Sequence, residues 1–251
     1  MTPRALPTAW TRLFWVLLLA ALPLPAMAQS LSLNLNQNGG SSASQLVQLF
    51  GLLTVLSIAP SILIMTTSFV RIVIVLSFLR TAMGVQQSPP NMVLLSLALF
   101  LTGFVMAPVF EKAYTNGIQP LMNHEIDETE AFSRSIAPLH DFMMKNVREQ
   151  DLELFMNLAK IDKVATPEDT PLHVLIPAFM ISELRRAFEI GFMLFLPFLI
   201  IDLVVASILM SMGMMMLPPT LLSMPFKIIF FVLIDGWHLV AGTLVQSFGP
   251  Q

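Results

Sequence analysis

The chain has 251 residues, 55% of them hydrophobic and only 12% charged, whereas soluble domains run at about a quarter charged. That deficit cannot be hidden in one soluble core, so the composition points to membrane helices. There is no cysteine, which excludes disulfides, thiol catalysis and thiolate-bound metals, and a net charge of −3 offers no basic field to nucleic acid.

Residues 1–28 read as a secretory signal. Arg4 and Arg12 supply the positive start, and Phe14 to Leu22 the short apolar run. Pro23 and Pro25 break the helix, and Ala26-Met27-Ala28 is a small-residue cleavage site. Cleavage between Ala28 and Gln29 would leave residues 29–45, rich in Asn, Ser, Gln and Gly, as a tail outside the membrane.

Crossing a bilayer takes roughly 20 apolar residues in a helix. Residues 46–110 hold the first two candidates. One runs from Leu46 to Met65 and continues as Val70–Leu79, with a kink expected at Pro60. Arg71 interrupts its apolar run, and Arg80 ends it. Gln86 to Asn91 form a loop, and the second span follows from Met92 to Phe110, closing near Pro108. Residues 111–186 form the polar region: between Glu111 and Pro171, twelve Asp and Glu stand against six Lys and Arg. Helical spacing of Phe142, Val147, Leu152 and Phe155 predicts short amphipathic helices there, and Leu172 to Arg186 is a further helical stretch. Residues 187–248 hold the last two spans, Phe188–Met210 and Ile228–Val245, around a turn forced by Pro218-Pro219. The fold class is therefore an all-α membrane protein of about four hydrophobic segments, as kinked or broken helical hairpins. An outside N-terminus puts Arg80 and Lys227 in inside loops and the acidic region outside, which agrees with the positive-inside rule.

An ionised group in an apolar span costs roughly 2.5–3.5 kcal/mol on insertion scales. Glu189, Asp202, Asp235 and His238 are such groups, and Lys227 sits at a span's edge. At about 1.5 Å per residue, Asp202 and His238 lie level in the last hairpin, with Asp235 one turn lower on the His238 face. Lys227 falls close to the turn, roughly 20 Å from Asp202. In an unbroken hairpin these two charges cannot meet, so the spacing predicts either broken helices or a neighbouring copy offset along the axis.

The segment Met210-Ser211-Met212-Gly213-Met214-Met215-Met216 places five methionines within seven residues before the proline pair. Unbranched thioether side chains on a loosened helix end make a deformable apolar plug. Several copies around an axis would close a pore to ions yet yield to a passing chain.

The stretch Thr67-Ser68-Phe69-Val70-Arg71-Ile72-Val73-Ile74-Val75, with Leu79-Arg80, Gln87-Ser88-Pro89-Pro90-Asn91 and Leu97 to Thr102, resembles the first signature of the FliP family of flagellar type III export-gate subunits. Phe198 to Ser207, Met224-Pro225-Phe226-Lys227 and Val232 to Trp237 resemble the second, so the likeness spans residues 45–250. Val70 departs from an expected Thr, and Thr81-Ala82-Met83 from a Gln-Ala-Leu type run. The resemblance implies several copies, five expected, assembled with FliQ and FliR into a helical pore, with FlhB and FlhA nearby. It implies a place in the inner membrane at the flagellar basal body, partly periplasmic, with unfolded flagellar proteins passing through the centre. The family's methionine gasket falls on Met214, Met215 and Met216, and its inter-subunit charge contact on Asp202 and Lys227. Injectisome subunits share both signatures, and the signal segment favours the flagellar branch.

Two rivals fare worse. Asp202 and Asp235 lie on adjacent spans as an aspartyl protease dyad would, but Asp235 lacks the Gly-x-Gly-Asp context. A secondary transporter would show an inverted repeat, and none is visible. With no phosphate-binding glycine loop and no His-Glu-x-x-His motif, neither a cofactor nor catalysis is expected.

Overall fold

The computed structural model describes residues 42–85, 88–161, 166, 169–214 and 217–249. The signal segment with its Ala28/Gln29 junction, most of the 29–45 tail, Met215 and Met216 lie outside the described residues. The described residues form helices and no strand: α1 Ser42–Met65, α2 Phe69–Ala82, α3 Asn91–Ala113, α4 Gln119–Met122, α5 Glu128–Asn146, α6 Glu149–Leu158, α7 Leu172–Ser211, α8 Pro219–Leu233 and α9 Gly236–Gln246. A single π-helical turn, Tyr114–Ile118, joins α3 to α4. Contacts divide the chain between Leu53 and Thr54. The first unit is described only over residues 42–53, in the opening turns of α1, and the second unit holds both hydrophobic cores.

Two helices are long and apolar enough to cross a membrane, 91–122 and Leu172–Ser211, and two bent pairs bring the total to four if each pair is one span. The breaks do not fall where proline predicts them. Pro60 and Pro108 lie inside helices, as do Pro138, Pro177, Pro197 and Pro225. Away from competing water a helix tolerates proline, because neighbouring groups satisfy the freed carbonyl. The first bend, of 63°, comes at Thr66-Thr67-Ser68. Thr66 Oγ1 donates to the Ile62 carbonyl at 3.0 Å and Thr67 Oγ1 to that of Ile64 at 3.2 Å. Such back-bonding lets hydroxyl residues bend a helix.

The third expected span is instead one helix with the stretch before it. α7 runs 40 residues, about 60 Å, twice the roughly 30 Å of a bilayer core. His173, Glu183, Arg185, Arg186 and Glu189 crowd its first half, whereas Asp202 is the one ionisable residue after Ile190. The ionisable residues thus gather in the first half of the helix, and the second half is the apolar one. The fourth expected span, Ile228–Val245, is also corrected: its helix starts earlier, at Pro219, and breaks by 65° between α8 and α9.

α2 is the central element. Ile72, Val75, Leu76 and Leu79 follow the i, i+3, i+4, i+7 rule and are at most 1% exposed. They pack with Leu94 and Ala98 of α3, Ala187 and Phe198 of α7, Phe231 of α8, and Val240 and Leu244 of α9. A second core joins Met106 of α3 and Phe142 and Met143 of α5 to Leu175 and Phe179 of α7. Phe248 packs against both. Gly117, on the π turn, lies so close to Ala131 and Ser135 of α5 that a Cβ would collide with them. The outer faces stay apolar: Phe100, Phe104, Met193, Leu203 and Leu233 are all more than 60% exposed. Continuous faces of this kind mark surfaces covered by lipid or by other chains.

Candidate functional site

Two ion pairs fasten α2, one near each end, the first fully buried and the second partly. At the first, the Arg71 guanidinium forks onto Glu183 of α7: Nε donates to Oε2 at 2.8 Å, and a second nitrogen donates to Oε1. The side chains are 1% and 0% exposed. Arg71 also donates to the carbonyl and the hydroxyl of Ser247, both at 3.0 Å, and its guanidinium lies 3.6 Å from the centre of the Phe248 ring. Phe248 stacks on Phe142 of α5 with ring centres 6.0 Å apart. One arginine therefore ties α2, α7 and the segment after α9, using the planar fork that lysine lacks.

At the other end, Lys227 of α8 donates to Asp202 Oδ2 of α7 at 2.7 Å and to the Ala82 carbonyl of α2 at 3.1 Å. Asp202 also accepts from the Ser223 hydroxyl at 2.5 Å. A cation on the last carbonyls of a helix complements its dipole as well as satisfying an orphan acceptor. The pair closes within one chain, which corrects the expectation that Asp202 and Lys227 lie roughly 20 Å apart. That expectation put Lys227 at the turn. Because α8 already begins at Pro219, the two residues stand eight or nine positions from the turn on facing helices, nearly level. Their distance no longer calls for an offset copy, and their contact is intramolecular.

The described part of the methionine segment, residues 210–214, closes the end of α7. Gly213 at φ +73° stops α7. The Met214 N–H bonds the Leu209 carbonyl at 3.0 Å and the Gly213 N–H that of Met210 at 3.1 Å, the double closure of a Schellman end. Met210, Met212 and Met214 are 59%, 66% and 42% exposed, with no core of their own to fill.

The remaining expected polar residues do not join these clamps. Glu189 pairs with Arg185 one turn away at 2.9 Å, both more than half exposed. Asp235 sits at the α8–α9 break at φ +51°, exposed, where buried Gly236 lets the Phe231 ring approach so closely that a Cβ would collide with it. His238 is exposed on α9. Asp202 and Asp235 share no bond, since Asp202 is taken up by Lys227 and Ser223. Sequence reasoning missed Glu183 and marked Arg71 only as an interruption of an apolar run. Arg71 inside an apolar run was the signal that a carboxylate had to face it, and Glu183 stands between apolar turns of α7.

These features define a polytopic helical membrane protein whose internal charges are neutralised in pairs, whose outer faces are apolar, and which carries an exposed thioether turn. The chain belongs to the FliP family, whose model matches residues 52–244. It is similar to the flagellar biosynthetic protein FliP of Caulobacter vibrioides, 64% identical over 210 residues that cover 84% of this chain and 79% of that one. The protein of the same name from Bacillus subtilis is 56% identical over 207 residues, covering 82% and 94%, and that from Aquifex aeolicus 53% over 204, covering 80% and 85%.

Proposed function

We propose that this chain is the pore-forming subunit of a flagellar protein-export gate in the bacterial inner membrane. The observation that carries the reading is family membership across nearly all of the apolar chain, together with the exposed methionine turn. Several copies, five expected, stand around an axis with FliQ and FliR, and FlhB and FlhA lie nearby. Unfolded flagellar proteins pass through the middle. Met210, Met212, Met214, Met215 and Met216 of each copy converge as a gasket, which suits thioethers because they re-pack around whatever crosses them. The role is mechanical: the chain seals, yields and docks, and partners supply the energy. A leader cleaved between Ala28 and Gln29 places the mature start outside the inner membrane.

The oligomer rests on the apolar outer faces and on the family, because the Asp202–Lys227 pair is satisfied without a second copy. The flagellar reading is preferred over the injectisome one because the relatives carry a flagellar name. To test it, the chain is co-expressed with its neighbours, extracted in mild detergent and weighed as a complex, and a null strain carrying it is scored for motility and secreted flagellin. A multi-copy complex that restores secretion is expected. Full secretion by a strain in which the chain stays a lone molecule overturns the reading.

A further inference from the structure

Between α3, α5 and the residues after α9 lies a cleft of about 1070 Å³. Its rim holds three cations, Lys112, Lys145 and Arg186, against one carboxylate, Asp141, and its wall includes the rings of Phe142 and Phe248. Arg71, Arg134, Arg148, Arg185 and Lys227 all close ion pairs within the chain. Among the described residues, the three rim cations close none. Lys145 lies in the last turn of α5, where a positive charge complements the helix dipole, whereas at Lys112 α3 runs on into the π turn. Arg186 lies inside α7, where that explanation does not reach.

The complement of this cleft lies on the same chain. α6 is held to α7 by its inner face, where the Arg148 N–H donates to Ser182 Oγ at 3.0 Å and Ser182 donates to Asp151 at 2.6 Å. Its exposed half carries Glu149 and Glu153 along one edge and Leu154 and Leu158 along the other, with Gln150 and Asn157 between them, the leucines 51% and 69% exposed. A ten-residue helix about 15 Å long thus offers two acids and two leucines to a cleft lined by three cations and two aromatic rings. No α6 residue lines the cleft of its own chain. Two different, complementary patches on one subunit make a head-to-tail contact, the type that builds rings and helices.

We infer that the outer face of α6 of one copy docks in the Lys112–Lys145–Arg186 cleft of the next, which rests on the multi-copy reading above and names its surfaces. The chain has no cysteine, so engineered pairs report cleanly. Lys145→Cys with Glu153→Cys, oxidised in membranes holding the full set of partners, is expected to give a ladder of linked copies. Lys112→Glu/Lys145→Glu and Glu149→Lys/Glu153→Lys are each expected to lower the assembled fraction at least tenfold. All four substitutions in one chain should restore at least half of it, which shows that the reversed chains fold. The inference is overturned if the cysteine pair links only within a chain, or if the four-fold variant stays unassembled while the cysteine pair gives no ladder. It is also overturned if reversing the lysines strips anionic phospholipid from the complex without changing its copy number, since the cleft then holds a lipid headgroup. An unmutated chain that never assembles fails the multi-copy reading itself.

Discussion

Replacing Arg71 with Met keeps the length of the side chain and removes its charge. Glu183, fully buried, then loses the one side-chain partner it has among the described residues, and Ser247 loses the donor that holds it. Orphaning one member of a buried ion pair costs about 3–5 kcal/mol. At about 1.4 kcal/mol per factor of ten, the unfolding equilibrium shifts by two to more than three powers of ten. Removing both charges leaves no orphaned charge, only Ser247 without its donor, so Arg71→Met/Glu183→Leu should recover most of that loss, to within about 1–2 kcal/mol of the parent chain. Arg71→Lys keeps the charge but not the fork or the face laid on Phe248, and should fall between. Denaturant titration of the detergent-purified chain, with these three variants and Glu183→Leu closing the double-mutant cycle, measures the coupling. A double variant as unstable as the sum of the two single ones would refute the reasoning, because the clamp would then contribute nothing as a pair.

Asp202→Ala and Lys227→Ala should each lower the amount of protease-resistant single chain before any partner is present, and exchanging the two residues should partly restore it. A defect that shows only in the complex would mean that the pair acts between copies. Gly213→Ala puts a Cβ at φ +73° and should cost about 1–2 kcal/mol, read as a lower melting temperature. Gly117→Val should force α3 and α5 apart at Ala131 and Ser135, and limited proteolysis is expected to cut the 119–127 segment faster. Deleting Met214–Met216 should leave the copy number unchanged while cells leak small ions, measured as a fall in membrane potential; unchanged tightness would count against the gasket.

Fold class was readable because period and length are local properties. About four apolar segments could be counted from the run lengths, though not where their helices begin and break, and α2 shows its buried face in Ile72, Val75, Leu76 and Leu79. The punctuation was misread where rules learned in water were applied. Pro60 looked like a kink and Pro108 like a stop, yet the chain bends at Thr66-Thr67-Ser68, where the two threonine hydroxyls bond back to the preceding turn. The pairing of Asp202 with Lys227 was missed for a similar reason. Pro218-Pro219 was read as a turn running on to Lys227, whereas Pro219 is the first residue of α8, where a missing N–H costs nothing. Glu183 escaped notice because its stretch was counted with the polar region, and only the tertiary fold shows that α7 carries it into the core beside Arg71. The exposed methionines were legible as an oddity of composition. The gasket proposed for them needs several chains and is written in no single one.

The Arg71 clamp joins residues made at very different times. Glu183 follows Arg71 by 112 positions and Ser247 by 176. At translation rates of about 5–20 residues per second, the guanidinium leaves the ribosome on the order of ten seconds before its carboxylate exists. During that interval α2 has apolar sides but an unneutralised charge. The helix at the centre of the finished molecule therefore completes its contacts only once residues 183–248 have been made.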